Sequence, residues 1–286
     1  MRASRVPSFY TYSPGRARVA ERWFIALIAG VFGLTIGSFL NVCSMRWPRD
    51  ESVVHPPSRC PGCGNRVRWY DNVPVFGWIL LRGRCRDCGM GISVQYPLAE
   101  LTTGLVWAGV FWANGLTPEA ARGTVFLTIL FGIALSDARF YIIPDQFSLG
   151  GAVLGLGLAF LPEGVTPLGS ALGIVGGYGV LWLVGTGGTW LIKKLRPGRL
   201  EEAGVDSALG GGDVKMMAMV GAFLGLWGVA TTLFLGSVLA LLVFGPISAL
   251  TKRLIPLGIF LAAGAAVSYA WGDALLAWYT ANILMR

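Results

Sequence analysis

Two aspartates set the chemistry to be explained. Asp213 follows Gly210-Gly211-Gly212 and opens the apolar run 214–225, while Asp137 closes the apolar run 126–135 and is followed shortly by Arg139. An ionisable side chain at the centre of a bilayer costs roughly 2.5–3.5 kcal/mol on insertion scales, so a carboxylate retained on each of two membrane helices marks a functional site. Paired carboxylates that share a proton are what the activation of water against a peptide bond requires. Asp213 is expected at a helix N-terminus and Asp137 near a helix C-terminus. The two macrodipoles then favour Asp213 as the base toward water and Asp137 as the acid that polarises the scissile carbonyl. Four supporting positions surround the pair. Gly210 and Gly212 allow close backbone approach beside Asp213. Asp145, just after Pro144, reads as a helix N-cap. Lys215, two residues past Asp213 and therefore on nearly the opposite helix face, reads as an interfacial lysine snorkelling to water.

A second chemistry belongs to sulfur. Cys60, Cys63, Cys85 and Cys88 form two Cys-x-x-Cys pairs, each followed by glycine. Four thiolates at this spacing predict a closed tetrahedral zinc site, structural because no ligand position is left for water. Two disulfides are the competing reading, which a reducing cytoplasm disfavours. Cys43 is left over and reads as a small packing residue. His55 is the only histidine, so no Ser/His or Cys/His mechanism is available in the membrane.

The elements that must position these groups are membrane helices. Of the 286 residues 54% are hydrophobic and only 13% charged, against about a quarter charged in soluble domains. The net charge of +8 comes with no base-reading motif, so nucleic acid is excluded as a partner and membrane lipid is preferred. Apolar runs predict about eight transmembrane helices in an all-α polytopic protein, the sixth and seventh hard to separate. Residues 1–21 read as a basic, poorly ordered arm and 22–45 as the first transmembrane helix. Residues 46–97 read as a small zinc-ribbon-like domain between helices 1 and 2, and 98–286 as the transmembrane domain bearing the aspartates. Placing 46–97 in the cytoplasm puts most of the 23 basic residues on that side, together with Asp137 and Asp213, as the positive-inside rule prefers.

Several motifs then carry a family resemblance: Gly37-Ser38-Phe39-Leu40-Asn41-Val42, the two cysteine knuckles, Tyr70-Asp71-Asn72-Val73-Pro74, Tyr96-Pro97-Leu98-Ala99-Glu100, Asp137 with Ile143-Pro144-Asp145, and Gly210-Gly211-Gly212-Asp213-Val214-Lys215. The last has the GxGD form of intramembrane aspartic proteases. Over nearly all of residues 23–250 the chain resembles the bacterial type IV prepilin peptidases, bifunctional leader peptidases and N-methyltransferases of pilus and type II secretion systems. The resemblance implies cleavage of the short basic leader of type IV prepilins or pseudopilins at the cytoplasmic face of the inner membrane, with Asp137 and Asp213 catalytic. It also implies methylation of the new N-terminus with S-adenosylmethionine as donor. No Gly-rich nucleotide-binding fingerprint marks the donor's residues. A monofunctional GxGD peptidase without methylation and a transporter with intramembrane carboxylates are the alternatives.

Overall fold

The computed structural model describes residues 16–202, 204–251 and 257–284. Its long elements are α1 (Arg16–Arg46), α3 (Gln95–Asn114), α4 (Pro118–Phe140), α5 (Asp145–Leu158), α6 (Pro167–Leu195), α8 (Gly211–Thr251) and α9 (Leu257–Tyr279), with short α2 (Phe76–Leu80) and α7 (Arg199–Glu202) between them. The expected arm 1–21 is only partly within the described residues. Where it is, it is helical: the described part of α1 runs from Arg16, and 16–21 contain no residue that interrupts a helix. Residues 1–15 lie outside the description.

Helix ends follow local chemistry. Thr117 and Thr166 each accept a backbone N–H three residues on, from Ala120 and Gly169, and each is followed by proline at the first helical position. This pre-formed start suits α4 and α6. The expected sixth and seventh runs are joined in α8, whose continuity is broken at Gly225, where φ is 68°. Only a residue without Cβ adopts that conformation at little cost. With α8 divided there, eight apolar helical segments carry the eight expected runs. Five helices among the described residues are long and apolar enough to cross a membrane, so the chain is a multi-pass membrane protein.

Packing in the bundle depends on small residues, since lipid offers no hydrophobic drive for helices to associate. A methyl group added at Gly33 would lie 2.9 Å from Gly104 Cα, and one at Gly37 would lie 2.7 Å from Glu100 Cα. The Gly33/Gly37 spacing thus lets α1 and α3 run in near backbone contact. The centre holds Phe126, Ile133, Met216, Met217, Met219, Val220 and Leu261, all fully buried. The methionines after Asp213 are therefore core. Cys43 is also buried, at 1% exposure. Large apolar side chains such as Trp23, Phe24, Val31, Trp182 and Leu183 face outward, a surface that a bilayer would cover.

Residues 47–94 form a small head with two matching knuckles. Cys60 N–H donates to Asn65 O and Gly64 N–H to Cys60 O; Cys85 N–H donates to Met90 O and Gly89 N–H to Cys85 O. Among the described residues the extended pairings are isolated bridges, Arg59 with Arg66 and Arg84 with Gly91. The fold is all-helical with this head between α1 and α3.

Candidate active site and metal centre

Asp137 sits one turn from the end of α4, 5% exposed. Its helix is closed by Tyr141 in the left-handed conformation, whose N–H donates to Asp137 O. The Asp137 carboxylate then meets the start of α9: Oδ2 accepts the Ile259 N–H at 3.0 Å. A methyl group added at Gly258 would lie 2.8 Å from that oxygen and 2.9 Å from Ile143 Cδ1.

Asp213 is the third residue of α8. Its N–H donates to Gly210 O at 3.2 Å, and its carboxylate folds back so that a Cβ at Gly210 would lie 3.0 Å from Oδ2. A Cβ at Gly212 would lie 3.0 Å from Ile143 Cβ. Each glycine therefore has a separate task, Gly210 leaving room for the carboxylate and Gly212 for Ile143. Ile143, wedged against both Gly212 and Gly258, ties the two aspartate-bearing corners together. Asp137 of α4 meets α9 directly, and the start of α8 that carries Asp213 reaches the same corner through Gly212 and Ile143.

Asp213 stands at the N-terminus of α8 and Asp137 near the C-terminus of α4, as expected. Two other local expectations change. Asp145 does not cap α5. It is the first helical residue and accepts both oxygens' bonds from Lys215 Nζ, at 2.7 and 2.9 Å. Lys215 is accordingly held by an ion pair across α5 and α8 and does not simply extend to water. Arg139 donates to Ser44 Oγ on α1 at 2.9 Å and so serves the α1–α4 contact. Ile143, Gly258 and Ile259 were missed as site residues: apolar side chains and a lone glycine in an apolar run carry no chemical mark.

In the head, the sulfurs of Cys60, Cys63, Cys85 and Cys88 lie within 4.8 Å of one another. Two of the edges are 3.7 Å, Cys60 to Cys88, and 4.0 Å, Cys63 to Cys85. A tetrahedron with zinc–sulfur bonds of about 2.3 Å has edges of about 3.8 Å, so this geometry fits zinc. The thiol chemistry fits as well. Backbone N–H groups of Cys63 and Gly62 draw the Cys60 thiol down to about 7. At Cys88 the Met90 N–H is outweighed by desolvation and the neighbouring sulfurs, and the thiol is pushed up to about 12. Thiols this close ionise together only around a cation. A disulfide between the pairs is absent, since all four are free thiols.

Hydrogen bonds brace the head internally and against α3, and brace α1 against α3 beneath it. Arg86 Nε donates to Asp71 Oδ2 at 2.9 Å, a bond that holds the Asp71 carboxyl below the usual carboxylate range. Val75 N–H donates to Glu100 Oε2 at 2.7 Å, and Asn41 Nδ2 donates to Tyr96 O at 3.1 Å.

Fold and site together define a multi-pass membrane protein with an aspartate at each of two converging helix ends and a four-cysteine head. Residues 31–114 match the bacterial peptidase A24 N-terminal domain and residues 124–245 match the type IV leader peptidase family. The chain belongs to the type IV leader peptidase family. It is 31% identical to the prepilin leader peptidase/N-methyltransferase of Xanthomonas campestris pv. campestris, over 88% of this chain and 93% of that one. The protein of the same name from Neisseria gonorrhoeae is 34% identical, over 76% of this chain and 80% of its own length. That from Myxococcus xanthus is 38% identical over 70% of this chain, a match spanning 56% of the Myxococcus protein. No solved structure matches the chain.

Proposed function

We infer that this protein cleaves the leader of type IV prepilins or pseudopilins and then methylates the N-terminus so exposed, with S-adenosylmethionine as methyl donor. The observation that carries the peptidase reading is the convergence of the Asp137 corner and the Asp213 corner on Ile143, in a chain of the type IV leader peptidase family. One carboxylate takes a proton from water as its oxygen attacks the scissile carbonyl, and the other donates a hydrogen bond to the carbonyl oxygen. Collapse of the tetrahedral adduct breaks the C–N bond, and a carboxyl proton passes to the leaving amine. Which aspartate starts as base is a property of the pair. Zinc on Cys60, Cys63, Cys85 and Cys88 would hold the fold of the head and take no part in hydrolysis. The inner membrane, with the head and both aspartates on its cytoplasmic side, is the location that the distribution of basic residues supports.

The test is incubation of purified protein with a prepilin and isotopically labelled S-adenosylmethionine, with mass spectrometry of the product N-terminus. Wild type should yield cleaved, labelled product. Asp137→Asn and Asp213→Asn should each abolish cleavage while the protein stays folded; near-normal cleavage by either removes the paired-aspartate mechanism. Cleaved product that never carries label would instead favour the monofunctional peptidase.

A further inference from the structure

Three of the motifs that the hydrolytic site leaves unexplained converge on one place. Gly37 to Val42, Tyr70 to Pro74 and Tyr96 to Glu100 all contribute to the wall of a cavity of about 890 Å³ between the end of α1, the start of α3 and the head. Asp137 and Asp213 are not among its lining residues, so hydrolysis does not account for it. The volume lies within the roughly 300–1,000 Å³ typical of small-molecule and cofactor sites.

Its floor is built of acceptors. Glu100 is 8% exposed and Asn41 2% exposed, and both line the cavity. Asn41 spends its amide N–H on Tyr96 O, which leaves its Oδ1 buried without a hydrogen-bond partner. A buried carbonyl oxygen left unpaired costs free energy that a ligand bearing positive charge or a donor would recover. Glu100 is fixed by the N–H of Val75, which adopts φ 62°. A β-branched residue at positive φ is a true outlier, and such strain persists where surrounding structure demands it for a task. Above this floor the wall carries Arg86, locked against Asp71 by two nitrogens yet with its side chain 45% exposed, and the aromatic faces of Trp78 and Tyr96.

We propose that this cavity is the S-adenosylmethionine site, with Glu100 and Asn41 facing the donor's cationic sulfonium and amine and Arg86 its carboxylate. The proposal rests on the methylation reading above and adds its location. A cation beside oxygen acceptors, a carboxylate beside a guanidinium and a purine against aromatic rings are the pairings that this ligand's groups demand. The methyl group is supplied by the donor when bound; the chain's own residues orient it.

The test is direct binding to full-length protein in lipid nanodiscs, by equilibrium dialysis of radiolabelled S-adenosylmethionine. Glu100→Gln removes the floor's charge, and Ser38→Phe adds bulk to the cavity wall without removing Glu100 or Asn41. Each should weaken donor binding at least tenfold, with zinc content and melting temperature near wild type as the check on folding. Photocrosslinking of the wild-type complex should label peptides from 37–46, 70–78 or 93–100. If the wild type methylates its product while both variants hold the donor as tightly as wild type, the site lies elsewhere and the methylation reading stands. If the wild type neither binds the donor nor methylates, the methylation reading falls and the site with it.

Discussion

Gly258 illustrates how much of the site rests on groups that do no chemistry. A Cβ there would sit 2.8 Å from Asp137 Oδ2, closer than such contacts allow, so either the carboxylate or the α9 start must move. Gly258→Val should therefore reduce cleavage by about a hundredfold, the scale associated with misplacing a catalytic group by about 1 Å. Circular dichroism and melting should report an intact fold; unchanged cleavage would show that Asp137 has no need of the α9 contact. Asp71 allows a prediction of pH dependence. Its bond to Arg86 holds its carboxyl below the usual range, so the pair's stabilisation is fully present above about pH 4, the ordinary carboxylate value. It is lost as pH falls through Asp71's lower native value. Wild type and Asp71→Asn should differ in melting of the head at neutral pH and converge on acidification; a gap that persists in acid would remove the charge from the explanation. At this scale the aspartates and cysteines were legible because charge and paired thiols stand out in an apolar chain. The acceptor of Lys215 and the wedge of Ile143 were not, because they depend on which helices become neighbours.

The contact between α5 and α8 is one such neighbourhood. Lys215 joins Asp145 across it through a bidentate bond whose partners are 37% and 53% exposed. Exposed pairs contribute about 0.2–1 kcal/mol, so Lys215→Met and Asp145→Asn should each leave cleavage within about fivefold of wild type. High salt should narrow the difference further. Loss of cleavage as deep as in Asp213→Asn would instead make the pair part of the chemistry. The other elements show what periodicity does and does not reveal. Gly33 and Gly37 meet the simple compositional requirement of backbone approach, but only the structure shows α3 as the helix they admit. The break at Gly225 was visible only as an uncertain boundary, since glycine is common throughout this chain and only the observed φ of 68° distinguishes a kink from a packing position. The end of α4 beside Asp137 was readable from sequence, but the arrival of α9 against its carboxylate was not.

Across the whole molecule, a bundle stabilised by lipid and close helix packing carries a head too small to bury a sizeable core. Metal binding should supply the head's folding free energy. Protein purified without chelator should contain about one zinc per chain, the stoichiometry of a single four-thiolate site. Stripping the metal or making Cys60→Ser should loosen the head and impair methylation more than cleavage, measured on the same folded sample. Cleavage lost alone, with methylation intact, would contradict that division. The helical class and the four-cysteine head were legible because hydropathy and thiol spacing report them directly; the cavity between head and bundle was not, because its walls come from three separated segments. One helix end joins the two regions. Ser44 of α1 takes the hydrogen bond from Arg139, two residues past Asp137 on α4, while Asn41 and Met45, one turn apart on α1, line the cavity. With the methyl donor in that cavity, the last turn of α1 is a partition between two workshops. A freshly cut amine must round it before it can be capped, so the bare amine is a traveller with its own lifetime.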